Sequence, residues 1–247
     1  MPKVTVTTKP NAWDKLKKRA DPLTSIALTI PVFLIYHLGI LLFDNQSRAN
    51  KVDLVSTTVL GILQASPPIY VIGTLTLALV VATVTWIEER RGAASGVKLS
   101  RVLLEGGAFA IVVLAAFGWA TSRVLRTTDP AGLTELHAVE KIVLAAGAGF
   151  HEEFIFRAVL VTGLGALLTL IVRVSKNAAL GIAVAISSVA FSLMHNVGVM
   201  AEPFVLDIAA YRVVLGALFA GLYLLRGFAV AVYAHFFFEV LVYFLYA

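Results

Sequence analysis

The sequence predicts an all-α fold, a polytopic transmembrane helical bundle of about seven or eight membrane-embedded helices. Three observations predict it. Of the 247 residues, 59% are hydrophobic and only 14% charged, and the mean hydropathy is +0.89, far from a soluble domain. The apolar residues gather into runs near the ~20 residues that cross a bilayer as a helix, with short polar stretches between them. The ionisable residues that interrupt apolar runs cluster in the second half of the chain.

In chain order, the first span is expected from about Leu23 to Phe43, followed by a polar loop from Asp44 to Asp53. A shallow or re-entrant helix over Leu54 to Ala65 ends at Ser66-Pro67-Pro68, where proline restricts the preceding backbone. The second span runs from about Pro68 to Ile87 and the third from Val102 to Thr121. After the loop at Thr127-Thr128-Asp129-Pro130, the apolar stretch from Val139 to Val172 is too long for one straight crossing. It is read as one tilted, broken helix or as two pieces, with the break at Gly147 and Gly149. Three further spans cover Ala178 to Met194, Phe204 to Leu225 and Phe228 to Tyr246. The chain thus divides into a basic N-terminal segment (1–22), N-terminal transmembrane helices (23–136) and a helical core carrying the motifs (137–247).

Charge sets the expected orientation. The formal net charge of +5 arises largely from Lys3, Lys9, Lys15, Lys17, Lys18 and Arg19. A cleavable signal does not fit, because the apolar run that follows is long and ends without a small-residue cleavage site. This segment reads as membrane-facing, with an interfacial helix over Lys9 to Asp21 or a solvated tail as the two forms open to it. Nucleic acid is not expected as a partner, since only Trp13 interleaves with the bases. Arg90-Arg91, Lys98, Arg101, Arg173, Lys176 and Arg226 fall on the same side as the N-terminus if there are seven crossings. That side is expected to be the cytoplasm. The sequence contains no cysteine, which excludes disulfides, thiolate metal sites and a cysteine nucleophile.

Charges inside a span are costly and are kept for a reason. The first three spans are read as contributing none. His151, Glu152, Glu153, Arg157, His195, His235 and Glu239 all lie in apolar surroundings. Glu153 and Arg157 are four apart and can pair on one helix, which makes burial tolerable. Consecutive residues of an α-helix diverge by roughly 100°, so Glu152 is expected to point elsewhere, toward a cavity. His235 and Glu239 are again four apart and share a face. Two imidazoles, a carboxylate and a buried arginine from three helices are the ingredients for activating a water and stabilising an oxyanion.

These residues resemble a family. His151-Glu152-Glu153-Phe154-Ile155-Phe156-Arg157 contains EExxxR, Phe191-Ser192-Leu193-Met194-His195 is FxxxH, and His235 with Glu239 stands where a third motif, HxxxN/D, is usual. Their order and spacing resemble the CAAX protease and bacteriocin-processing family, the type II prenyl endopeptidase group of intramembrane glutamic proteases, over about residues 139 to 245. The resemblance implies that Glu152 and His195 activate the attacking water without a metal or other cofactor, and that His235 with residue 239 forms the oxyanion site. Glu153 and Arg157 would support them. The implied partner is a membrane-anchored protein or peptide cut near the membrane surface; the compact length and short loops point to a bacterial cytoplasmic membrane. Glu239 departs from the pattern: an amide donates to an oxyanion, whereas an ionised carboxylate only accepts. It would orient His235, stay protonated, or mark altered activity.

Other readings compete. Glu153 with Arg157 can be a purely structural bridge. His195 beside Asn196 can be an interfacial hydrogen-bonding residue, His151 a pocket-lining group, and His37 and His137 solvated. Phe236-Phe237-Phe238 reads as packing or lipid contact, and Gly163 and Gly165 as helix-packing surface. HExxH is absent because Ile155 follows His151 by four, although Glu152, His195 and His235 leave another metal arrangement open. A rhomboid-type GxSG fails, since Ala93-Ala94-Ser95-Gly96 lies in a basic loop, and GxGD fails at Phe150. A non-catalytic immunity or partner protein of the same fold, and a proton-coupled transporter, are the alternatives to an enzyme.

Overall fold

A computed structural model describes residues 19–42, 66–92, 96–128, 135–197 and 201–246. Among these residues the structure is helical, without strands. Six helices are long and apolar enough to cross a membrane, or up to seven if a bent pair near the N-terminus counts as one span. Their outer faces carry large apolar side chains such as Leu79, Leu104 and Trp119, as expected where lipid is the solvent. The chain is a multi-pass membrane protein. The expected interfacial helix before Arg19 and the shallow helix over Leu54 to Ala65 lie outside the described residues.

The first span is the bent pair α1 (Pro22–Leu28) and α2 (Ile30–Gly39), which turn by 44°. Asp21 caps α1 by accepting the Thr24 N–H at 2.9 Å. The bend follows from Pro31, which has no N–H to offer the Ala27 carbonyl and whose ring crowds it. Thr29 covers part of the break by bonding the Ile26 carbonyl through its amide (3.1 Å) and its hydroxyl (2.8 Å).

α3 (Pro67–Arg90) buries only Tyr70, Thr74 and Ala78, a stripe repeating every four residues, and leaves the rest to lipid. α4 (Leu99–Thr128) buries a longer stripe that packs along the last helix. It also carries Glu105, which accepts from Arg101 at 2.7 Å and from Arg226 at 2.9 Å. The third span therefore does contain a charge, neutralised between two arginines at the basic end of the bundle.

The long apolar stretch is one continuous helix from Ala138 to Leu170. It starts as α5 (Ala138–Gly147), changes to π-helix over Ala148–Glu152 and Phe154–Val161, and ends as α6 (Thr162–Leu170). The expected break at Gly147 and Gly149 is thus a change of winding, not an interruption. α7 (Lys176–Met194), α8 (Leu206–Arg226) and α9 (Phe228–Leu245) complete the bundle. Gly227 alone joins α8 to α9 at φ +95°, a conformation open to glycine.

α9 occupies the centre. Every residue from Phe228 to Ala234 is buried, and His235 follows them inside, because α4, α5, α8, α1 and the π-helical stretch surround it. Phe238 is buried with them, so the Phe236-Phe237-Phe238 run serves packing at least there. Gly165 meets Leu180 at 3.4 Å, whereas Gly163 faces open space, so of the two only Gly165 is a packing surface.

The π-helical stretch approaches α9 so closely that a Cβ at Gly149 would lie 2.8 Å from the Phe236 amide nitrogen and 3.0 Å from its Cα. Gly149→Ala is therefore expected to destabilise the bundle by about 1–3 kcal/mol through backbone displacement. Gly163→Ala, with nothing within 4 Å, should instead keep or raise stability, by up to about 1 kcal/mol. Thermal unfolding of both variants in detergent checks this, and equal midpoints would refute the close approach.

Candidate active site

His235 is the hub. It is 2% exposed, and its Nδ1 lies 2.8 Å from Glu153 Oε1. On the other edge of the ring, Nε2 lies 3.6 Å from Glu239 Oε1 and 3.9 Å from Glu152 Oε2. A carboxylate accepts only, so an ionised Glu153 holds the proton on Nδ1 and turns Nε2 toward the other two carboxylates. Phe219 of α8 stacks on the imidazole at 4.6 Å and 20°, which fixes the ring plane.

Glu152 and Glu153 diverge, and they approach His235 on opposite edges of its ring. Both carboxylates reach the same imidazole from adjacent positions. The π-helical winding on either side of Glu153, whose hydrogen bonds run i→i+5, puts more residues in a turn and narrows the divergence of neighbouring side chains. The two glutamates nonetheless differ, since Glu153 is fully buried while the Glu152 side chain retains 15% exposure and that of Glu239 20%. The open side of the ring is the Nε2 side.

Arg157 is wholly buried behind Glu153. Its Nη1 is 3.3 Å from Glu153 Oε1, and its Nη2 donates to the Gly216 carbonyl of α8 at 3.2 Å. The guanidinium also lies over the rings of Phe191 at 4.8 Å and Phe219 at 5.8 Å, which favours a cation there. Arg157 Nε and Nη1 and Glu153 Oε2 are buried without a hydrogen-bond partner among the described residues. The pair is thus held by charge and enclosure more than by a completed hydrogen-bond set.

His195 closes α7 as its C-terminal cap. Its Nδ1 is 3.0 Å from the Phe191 carbonyl. A carbonyl can only accept, so Nδ1 carries the proton and Nε2 the lone pair, the tautomer a base requires. Phe191 is the shared neighbour: its ring meets His195 at 5.4 Å, His235 at 6.1 Å and the Arg157 guanidinium. All three motifs therefore meet around one aromatic residue.

His151 belongs to a different neighbourhood. Its Nδ1 donates back to the Gly147 carbonyl at 3.2 Å, and its ring contacts Tyr36 at 4.6 Å and His37 at 5.1 Å. His37 is not solvated as its place near a span end suggests. It is 3% exposed and 2.5 Å from the Tyr70 hydroxyl through Nδ1, linking the first span to α3. Only tertiary packing reveals this, because neither residue has a polar neighbour in sequence. His137 is exposed, as expected. Sequence reasoning also passed over Glu202 and Arg212, an ion pair buried beside His195. Among the described residues, no three His, Asp or Glu side chains are arranged to hold a metal ion.

Residues 134–241 match the family model described as type II CAAX prenyl endopeptidase Rce1-like. The resemblance carried by the three motifs is borne out over nearly the span they predicted, and the family so described is one of intramembrane proteases of the CAAX type. No curated protein and no solved structure matches the chain.

Removing one partner of a buried ion pair strands the other charge. Arg157→Met is accordingly expected to cost about 3–5 kcal/mol, and Glu153→Gln in the same chain to recover part of that loss. Chemical unfolding of both variants in detergent measures it, and a single-variant loss below about 1 kcal/mol would show that the pair is solvated.

Proposed function

We propose that the protein is an intramembrane endopeptidase in which glutamate and histidine activate water, cutting a membrane-anchored protein or peptide near the membrane surface. The observation that carries this reading is the position of His235, held by Glu153 on Nδ1 and opened through Nε2 toward Glu152 and Glu239. On this reading residues 23–136 form the supporting helices and 137–247 the protease core. The basic end of the bundle faces the cytoplasm of a bacterial cell, by the distribution of Lys and Arg.

The chemistry runs in one direction. Glu152, assisted by the Nε2 lone pair of His195, takes a proton from water as the oxygen attacks the peptide carbonyl carbon. The carbonyl π bond opens and the oxygen becomes an anion. His235 faces it through Nε2. To donate there while Nδ1 donates to Glu153, the ring carries both protons, a cation that the flanking carboxylates compensate. The proton held by the Glu152 and His195 pair then passes to the leaving nitrogen as the C–N bond breaks. Arg157 pairs with Glu153 and holds it in place. No metal takes part in this scheme.

Glu239 replaces the Asn or Asp of the family pattern. At 3.6 Å from Nε2 it competes with an oxyanion for the same proton, so its role in this scheme is to orient His235 and balance its charge. Glu239→Asn is then expected to raise turnover, by supplying a neutral donor in place of an acceptor, and Glu239→Gln to do so less because its amide sits one carbon further out.

The decisive experiment uses the purified full chain with a farnesylated C-terminal peptide reporter and a panel of single-span membrane proteins. Glu152→Ala and His195→Ala should each lower kcat by roughly 10²- to 10⁴-fold, with wild-type cleavage insensitive to chelator. Equal processing by wild type and both variants would overturn the mechanism and favour the non-catalytic partner of the same fold. Chelator-sensitive cleavage would favour a metal.

A further inference from the structure

His195 sits where a helix ends, at the point of greatest fraying, yet a base must stay within hydrogen-bond reach of its water. The structure supplies the restraint from outside the motifs. The His195 carbonyl accepts the Glu202 N–H at 2.9 Å. The Asn196 side chain donates to the Glu202 carbonyl at 3.0 Å and the Pro203 carbonyl at 3.4 Å. The Glu202 carboxylate in turn receives Arg212 Nη2 of α8 at 2.5 Å, with both side chains buried.

We propose that the Glu202–Arg212 ion pair is a positioning clamp that fixes His195 for water activation. This rests on the reading of His195 as the base. The pair is not needed to join α7 to α8. Those helices already meet through Ser192 Oγ on the Ala209 carbonyl at 2.8 Å. Gly216 adds an approach so close that a Cβ there would lie 3.0 Å from Ser188 Cα. A buried ion pair is a costly way to add stability. What this one adds is a fixed attachment for the residue that holds the backbone of His195.

Arg212 also lies four residues before Gly216 and seven before Phe219, along one stripe of α8. Gly216 receives Arg157, and Phe219 stacks on His235. The clamp therefore references His195 to the same rigid helix that locates the other two motifs.

The test has two arms. The chain has no cysteine, so a nitroxide on Val197→Cys, at an exposed position in the turn after His195, reports the motion of that turn without any need for activity. Glu202→Gln and Arg212→Gln should each increase its mobility, and Glu202→Asp, which keeps the charge pair, should restore it in part. With the farnesylated reporter, Glu202→Gln should lower kcat by about tenfold to a hundredfold, the scale of a displaced catalytic group, with KM changed less than about twofold. Tyr70→Phe, which weakens the remote His37 link, serves as a control that lowers the unfolding midpoint without lowering kcat.

An immobile nitroxide in both Gln variants would overturn the clamp. So would a loss of kcat no larger than that of Tyr70→Phe at a matched loss of stability. Should His195→Ala itself retain cleavage, the assignment of His195 as base fails, while nitroxide mobility still decides whether the pair fixes the turn.

Discussion

Arg157 and Glu153 are removed entirely from solvent inside an apolar bundle, and the rest of the site is arranged around that burial. Each ion loses several kcal/mol of hydration, which their attraction offsets only while they stay close and gain further polar partners. Those partners come from two other helices: the Gly216 carbonyl of α8 and the His235 imidazole of α9. Both helices must therefore pack against the π-helical stretch. The close approach at Gly149 is the steric form of that demand on α9, since a larger side chain there would push α9 away from Glu153, while the close approach at Gly216 seats α8 against Ser188 of α7.

The winding of the long helix decides how the glutamates are used. In an α-helix, adjacent carboxylates diverge by roughly 100°. In the π-helical stretch both reach His235, one on each nitrogen. Their environments then divide the labour. Glu153, fully enclosed and tied to Arg157, is unable to reach substrate, whereas Glu152 lies on the partly open side with Glu239. A π-helical segment offers poorer backbone geometry than an α-helix and tends to persist at functional sites.

Much of this was legible in the sequence, for identifiable reasons. Span lengths follow from bilayer thickness, so six helices appear close to where apolar runs place them. Motif spacing follows from local helical geometry, so Glu153 with Arg157 and His235 with Glu239 fall within reach of each other. What escaped is of two kinds. The π winding is a local departure that Gly147 and Gly149 hint at but do not specify. The pairs His37 with Tyr70 and Glu202 with Arg212 join different elements, and no sequence period links them. Pro31 and Gly227, by contrast, act through their own backbone and mark the bend and the tight turn directly.

α8 carries none of the three motifs, yet it determines how they meet. EExxxR, FxxxH and the His235 motif sit on separate helices, and pairwise contacts between them would leave each helix free to slide along its axis. A common reference removes that freedom. Arg212, Gly216 and Phe219 lie on one face of a single rigid helix and engage, respectively, the Glu202 attachment of His195, the guanidinium of Arg157 and the ring of His235. Along an α-helix these three points are spaced by the fixed rise of ~1.5 Å per residue, so the depth of each motif in the membrane is set relative to the others. The arrangement also explains why the stripe mixes a charge, a bare backbone and an aromatic face: each position matches the chemistry of the group it holds.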